Sequence, residues 1–164
     1  MRSVSICLLA ACVASAVLTA QTRLDNATLL KPGTTSWPSF NGDYTGRRFS
    51  TLSKINTANI NSLGLAWVRR TGGVSGAIKG TPIQINGVLY FTMPDHVWAV
   101  DARTGRELWH HQWQSKGGLY IANRGAGVYG SWLYFETPDC HLVSLNLKDG
   151  KERWRKPTTS LPAS

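Results

Sequence analysis

The sequence predicts an all-β protein built from propeller-type blades, on three observations. A stretch of aromatic and branched residues recurs after about 45 residues, the period of a four-stranded blade. Each copy breaks into short apolar runs separated by turn residues. Neither copy spaces its apolar residues at the 3.6-residue period of a helix. Composition agrees: the 164 residues include 16 Gly and 7 Trp but 2 Met, with 42% hydrophobic and 16% charged residues. That balance excludes a disordered charged tail and suits a turn-rich, aromatic sheet protein.

In chain order, Met1-Arg2-Ser3 gives a short basic start, and Val4 to Thr19 carries no charge. Residues 1–20 therefore read as a secretory signal peptide cleaved after Ala20, which places the protein in the periplasm or outside the cell. Leu9-Ala10-Ala11-Cys12 offers a second reading, a lipoprotein cleavage box that would anchor the chain to a membrane through Cys12. Residues 21–36 are mostly polar, with Pro32-Gly33, and read as an extended lead-in. Residues 37–156 form the repeat-bearing domain, with blades at about 65–109 and 110–154, and residues 157–164 read as an unstructured tail.

The repeat itself is explicit. Leu89-Tyr90-Phe91-Thr92-Met93-Pro94-Asp95 returns 44 positions on as Leu133-Tyr134-Phe135-Glu136-Thr137-Pro138-Asp139. Val97 to Trp109 returns 45 positions on as Leu142 to Trp154, so one residue, Cys140, is inserted between the two halves of the second copy. Within a copy, Leu89–Phe91 and Val97–Asp101 are strands around a Pro-Asp turn, and Arg103-Thr104-Gly105 is a tight turn into a last strand at Arg106–Trp109. A fourth strand is expected in the less regular stretch between copies. Trp109 and Trp154 recur after that turn, and Trp67 stands in the same role for an incomplete preceding unit. A flat indole suits the space between adjacent sheets, where it stacks over the neighbouring blade's peptide planes.

Charge and chemistry-bearing residues narrow the function. Net charge is +9, or +8 without Arg2, but Lys and Arg are scattered and no run of five occurs. This describes a solvated basic surface, not a nucleic-acid arm. Of the 3 cysteines, Cys7 and Cys12 fall in the leader. Cys140 alone remains and is expected to be a small buried apolar side chain. His96, His110, His111 and His141 lack metal-ligand spacing. Asp95 and Asp139 share one repeat position, as do Glu107 and Glu152, which points to turn capping and cross-strand pairing. Gly72-Gly73-Val74-Ser75-Gly76 lacks the Lys-Ser/Thr and helix of a phosphate loop.

Ala99 to Trp109, and more loosely Ser144 to Trp154, resemble the tryptophan-docking repeat of pyrroloquinoline quinone (PQQ) proteins. Trp37-Pro38-Ser39-Phe40-Asn41-Gly42-Asp43-Tyr44-Thr45-Gly46-Arg47-Arg48-Phe49-Ser50 resembles the N-terminal segment of PQQ-dependent alcohol and sugar dehydrogenases. Lys79-Gly80-Thr81-Pro82 resembles their first cofactor-facing loop, and Asn123-Arg124-Gly125 the loop whose arginine bonds PQQ. The resemblance implies an eight-bladed propeller with PQQ on its axis near calcium, and an aspartate later in the chain acting as base. Two positions depart from the family pattern: Gly118-Leu119 stand where alcohol dehydrogenases have adjacent cysteines, and Lys79 stands where they have glutamate.

Arg124 and Lys79 are thus the candidate cofactor-binding residues. A guanidinium can grip a carboxylate or quinone oxygen through two parallel bonds, and the alternative for Arg124 is bonding to backbone carbonyls of its own loop. Lys79 can pair with one of PQQ's three carboxylates. The implied function is the N-terminal part of a periplasmic dehydrogenase oxidising an alcohol or sugar and passing electrons to a cytochrome or ubiquinone. With two blades, the chain is expected to be inactive alone, since neither the catalytic base nor the calcium ligands are encoded. The alternative is a non-catalytic docking propeller, of the lipoprotein type that assists outer-membrane protein assembly. Leu9–Cys12 and the missing cysteine pair point that way.

Overall fold

A computed structural model describes residues 24–30, 35–72, 77–117 and 123–158. The leader expected at residues 1–20 and Gly118-Leu119 lie outside the described residues, as does the expected tail beyond Thr158. Two four-stranded antiparallel sheets make up the fold. The first runs β1 (Ile83–Ile85), β2 (Val88–Met93), β3 (His96–Asp101), β4 (Glu107–Gln112), and the second β5 (Gly127–Tyr129), β6 (Trp132–Glu136), β7 (His141–Asn146), β8 (Glu152–Pro157). In each sheet the strands are neighbours in chain order. The expected fourth strand is the first of each sheet, β1 and β5. Pro157, read as the start of the tail, pairs with His141 at the end of β8.

Repetition in sequence becomes repetition in register. β3 and β4 slip by one residue between Ala99 and Val100, and β7 and β8 slip at the equivalent Ser144 and Leu145. Such a bulge re-aims the side chains next to it. Here those are Trp109 and Trp154, the residues paired with Ala99 and Ser144. Each β3–β4 type turn is closed by a glycine, Gly105 at φ 70° and Gly150 at φ 68°.

Trp67 and Trp109 dock as the sequence expects. A Cβ added to Gly105 would lie 2.5 Å from the Trp67 ring, and one added to Gly150 would lie 2.6 Å from the Trp109 ring. Trp67 Nε1 donates to the Ala102 carbonyl at 3.2 Å, and Trp109 Nε1 to the Leu147 carbonyl at 2.9 Å. Each tryptophan therefore docks flat on the turn of the following sheet, where only a glycine leaves room. Tyr90 of the first sheet reaches the same Leu147 carbonyl at 3.2 Å, and burial pushes its phenol up to about 12.

The main core lies between the sheets: Tyr90, Val97, Ala99 and Trp109 of the first face Val128, Leu133, Phe135, Val143 and Leu145 of the second. A second cluster, Met93, Trp98 and Val100, occupies the first sheet's other face. Alternation along β2 and β3 produces both, since neighbouring residues point to opposite faces.

The segments before the sheets cover their first edges. Trp37 exchanges backbone hydrogen bonds with Gln84 of β1, at 2.7 and 2.9 Å. Leu24, 1% exposed, joins the main core and accepts from the Gly130 amide. The lead-in, read as extended, contains a short helix α1 (Asn26–Leu30), whose Thr28 amide and hydroxyl donate to Asp25. Cys140 corrects another expectation. It is exposed, at φ 60°, because the inserted residue sits at the hairpin tip in a left-handed conformation.

Candidate functional site

Strand direction decides which loops can cooperate. β1 and β5 start at the end of the sheets that carries the β2–β3 and β6–β7 turns, opposite the docking turns. Residues 77–82 and 123–126 lead into β1 and β5, so Lys79 and Arg124 lie at that same end. Their loops touch. A Cβ added to Gly80 would come within 2.8 Å of the Gly125 backbone and 3.0 Å of the Arg124 carbonyl carbon. Two backbones approach this closely only where the side chain is a hydrogen. The two candidate residues, 45 positions apart in sequence, are each one residue from this contact.

Lys79 and Arg124 are both exposed, and among the described residues neither belongs to any of the four ion pairs. Beside them, Arg48 donates to the Thr81 hydroxyl at 3.3 Å, which ties the segment after Trp37 to the Lys79 loop. Cationic groups gathered on adjacent loops suit a ligand with several negative charges.

Asn123 holds the arginine loop in place. It is 7% exposed; its Oδ1 accepts from the Thr92 hydroxyl at 2.6 Å and the Gly125 amide at 2.8 Å, and its Nδ2 donates to the Glu136 carbonyl at 2.7 Å. The sequence presents Asn123 only within the Asn123-Arg124-Gly125 motif and Thr92 only within the repeat, with no role for either. The available signal was the repeat mismatch: Thr92 and Glu136 occupy equivalent positions, and a small hydroxyl there allows a bond that glutamate's longer side chain does not offer.

The carboxylates serve the linker between sheets instead of strand pairs. Asp95 accepts from the Ser115 hydroxyl and amide, and Asp139 from Trp113 Nε1 at 2.9 Å and the Lys116 amide at 3.1 Å. Burial alone would raise the Asp139 carboxyl, but bonds from Thr137, Lys116 and Trp113 outweigh it and hold the group down, at about 2. Glu107 pairs with Arg69 and Glu152 with Arg155 on its own strand, so neither makes the expected cross-strand pair. His96 Nδ1 lies 2.9 Å from His110 Nε2 in a stack with Trp98. Among the described residues, no three His, Cys, Asp or Glu are grouped to hold a metal ion. Two cavities, of about 490 and 420 Å³, border this histidine pair and the Trp113–Asp139 linker, and Lys79 and Arg124 line neither.

Comparison with known proteins decides the family. The family described as PQQ, glucose/ethanol/alcohol dehydrogenase, beta-propeller domain, matches residues 37–151. The chain belongs to this PQQ β-propeller family. Quinohemoprotein alcohol dehydrogenase of Comamonas testosteroni is 33% identical over 92% of this chain and 24% of its own length. The 1-butanol dehydrogenase (quinone) of Thauera butanivorans is 36% identical over 67% of this chain and 19% of its own. The crystal structure of the Comamonas enzyme superposes with a TM-score of 0.71 at 30% identity, covering 83% of this chain and 22% of that one. The chain therefore spans a quarter or less of the length of these relatives. The two sheets are two blades of a PQQ-type propeller.

Proposed function

We propose that the chain is the N-terminal sector of a PQQ-dependent alcohol dehydrogenase, and that Lys79 and Arg124 grip the anionic cofactor. The observation that carries this reading is the Gly80–Gly125 backbone contact, which brings the two cationic loops together at one end of the blades. The donor set fits the group, since PQQ carries three carboxylates and the loops present a lysine, an arginine and the nearby Arg48. When bound, PQQ supplies the two-electron oxidant for the alcohol. Arg124 would hold it through paired N–H donors to a carboxylate or quinone oxygen, and Lys79 would add a mobile point charge. The names of the relatives favour an alcohol over a sugar as substrate.

A calcium ion beside PQQ, implied by the family resemblance, has no ligand set here, since among the described residues no three His, Cys, Asp or Glu side chains are grouped. No role is assigned to it in this chain. The leader at residues 1–20 supports export to the periplasm or beyond, where a cytochrome or ubiquinone would take the electrons. Among the described residues no helix is long and apolar enough to cross a membrane. A lipid at Cys12, in Leu9–Cys12, would attach the chain to a membrane. By itself the chain is expected to bind PQQ without oxidising alcohol.

Equilibrium dialysis of PQQ against the full chain tests the reading. Arg124→Ala and Lys79→Ala should each weaken binding by about tenfold, the loss of one charge-assisted contact. Arg103→Ala, on the docking turn at the opposite end, should change nothing. Equal affinity in all three variants would mean that the basic surface attracts PQQ without a site, and would overturn the assignment.

A further inference from the structure

We propose that Asn123 is the positioning residue of the cofactor site, locked by Thr92 across the boundary between the two blades. The inference deepens the PQQ reading and rests on it for its functional meaning, though its geometry stands alone. Asn123 uses its side chain in three directions. Thr92 of β2, in the first blade, donates to its Oδ1; the Gly125 amide, one residue past Arg124, donates to the same atom; and its Nδ2 reaches the carbonyl of Glu136 in β6, in the second blade. Thr92 is 1% exposed and Asn123 7%, so the bonds are shielded from competing water. Buried amides of this kind are costly to leave half-satisfied, which makes the arrangement all-or-none.

The consequence falls on Arg124. Its side chain is exposed and belongs to no ion pair among the described residues. Its aim is therefore set by the backbone on either side, and Asn123 and Gly125 are those two neighbours. Gly125 is at φ 118° and packs against Gly80, so the same lock fixes the Arg124 loop relative to Lys79. Orientation held in advance removes an ordering cost from ligand binding. Thr92 is the part of the lock that can be changed without touching the loop, because valine replaces its hydroxyl with a methyl group of similar size.

The test uses Thr92→Val and Thr92→Ser in the full chain, with two measurements. The first needs no ligand: hydrogen exchange of the Gly125 amide should speed up by about tenfold or more in Thr92→Val as the loop opens, and stay near wild type in Thr92→Ser. The second is PQQ affinity. Thr92→Val should weaken binding by about fivefold, Thr92→Ser should restore it, and Thr92→Val should add nothing once Arg124→Ala is present, because it acts through Arg124. Unchanged Gly125 exchange in Thr92→Val would overturn the lock. Additive losses in the double variant would overturn its action through Arg124. If PQQ ignores Arg124→Ala while Gly125 exchange still responds, the cofactor reading fails and the lock survives as a structural device. Should Thr92→Val fail to fold, Thr92→Ala, which removes the same hydroxyl, must show the same faster Gly125 exchange or the proposal falls.

Discussion

At one end of the blades, Trp67 on Gly105 and Trp109 on Gly150 are the same contact made twice, down to the indole N–H on a turn carbonyl. At the other end, Gly80 and Gly125, one repeat apart in sequence, bring neighbouring loops together, and the Thr92–Asn123 bond crosses the same boundary. The repeated contacts join blade to blade and would serve any ring of this type. The Thr92–Asn123 bond departs from the repeat, since Glu136 stands where Thr92 does, and it fixes the Arg124 loop. In a repeat protein, positions that recur carry the architecture and positions that break the repeat are where chemistry can be placed.

The sharpest way to break this comparison is to exchange the expected consequences. Trp109→Ala empties the docking seat and should cost about 3–5 kcal/mol of stability, read by denaturant unfolding. Gly150→Ala should approach that cost, because a Cβ at φ 68° would sit 2.6 Å from the Trp109 ring. Arg124→Ala should leave stability within about 0.5 kcal/mol of wild type, as exposed substitutions do, while weakening PQQ. A loss of stability in Arg124→Ala as large as that in Trp109→Ala would erase the distinction between the two ends.

A subtler test uses protons. Burial lowers the imidazoles of His96, His110 and His111 below their ordinary 6.5, with His110 adding repulsion at His96. The folded state therefore binds protons less readily than the unfolded chain. Its stability is complete above about pH 6.5 and is lost as pH falls through the window below that. The melting temperature should drop between pH 7 and pH 5, and His110→Gln should flatten the drop, since it also removes the repulsion on His96. A flat profile in the wild type would show that folding does not lower these rings, and would contradict the burial account. The smallest effect is expected at Cys140. Cys140→Gly should be tolerated, and Cys140→Val should cost about 1–2 kcal/mol, because a β-branched residue resists the left-handed conformation at φ 60°.

How much of this was legible follows the same division. The strands, the turns and the docking role of Trp67 and Trp109 could be read because each appears twice, and repetition separates signal from accident. Arg124 and Lys79 could be read by family resemblance, but their meeting could not, since it depends on strand direction placing residues 77–82 beside 123–126. Thr92 and Asn123 form a bond across 31 residues of sequence, and no periodicity connects them. Cys140 was misread because burial was inferred from residue type, whereas its place at a hairpin tip set its exposure. The partner of Glu107, Arg69, comes from the segment before the first sheet, which carries no strand pattern.

The most direct test of the central claim is a crystal structure of the chain soaked with PQQ. The account predicts the quinone at the end of the blades that carries Lys79 and Arg124, with a carboxylate or ring oxygen within hydrogen-bond distance of the Arg124 guanidinium. PQQ bound at the docking turns near Gly105 or Gly150, or a structure in which the Lys79 and Arg124 loops stand apart, would contradict it.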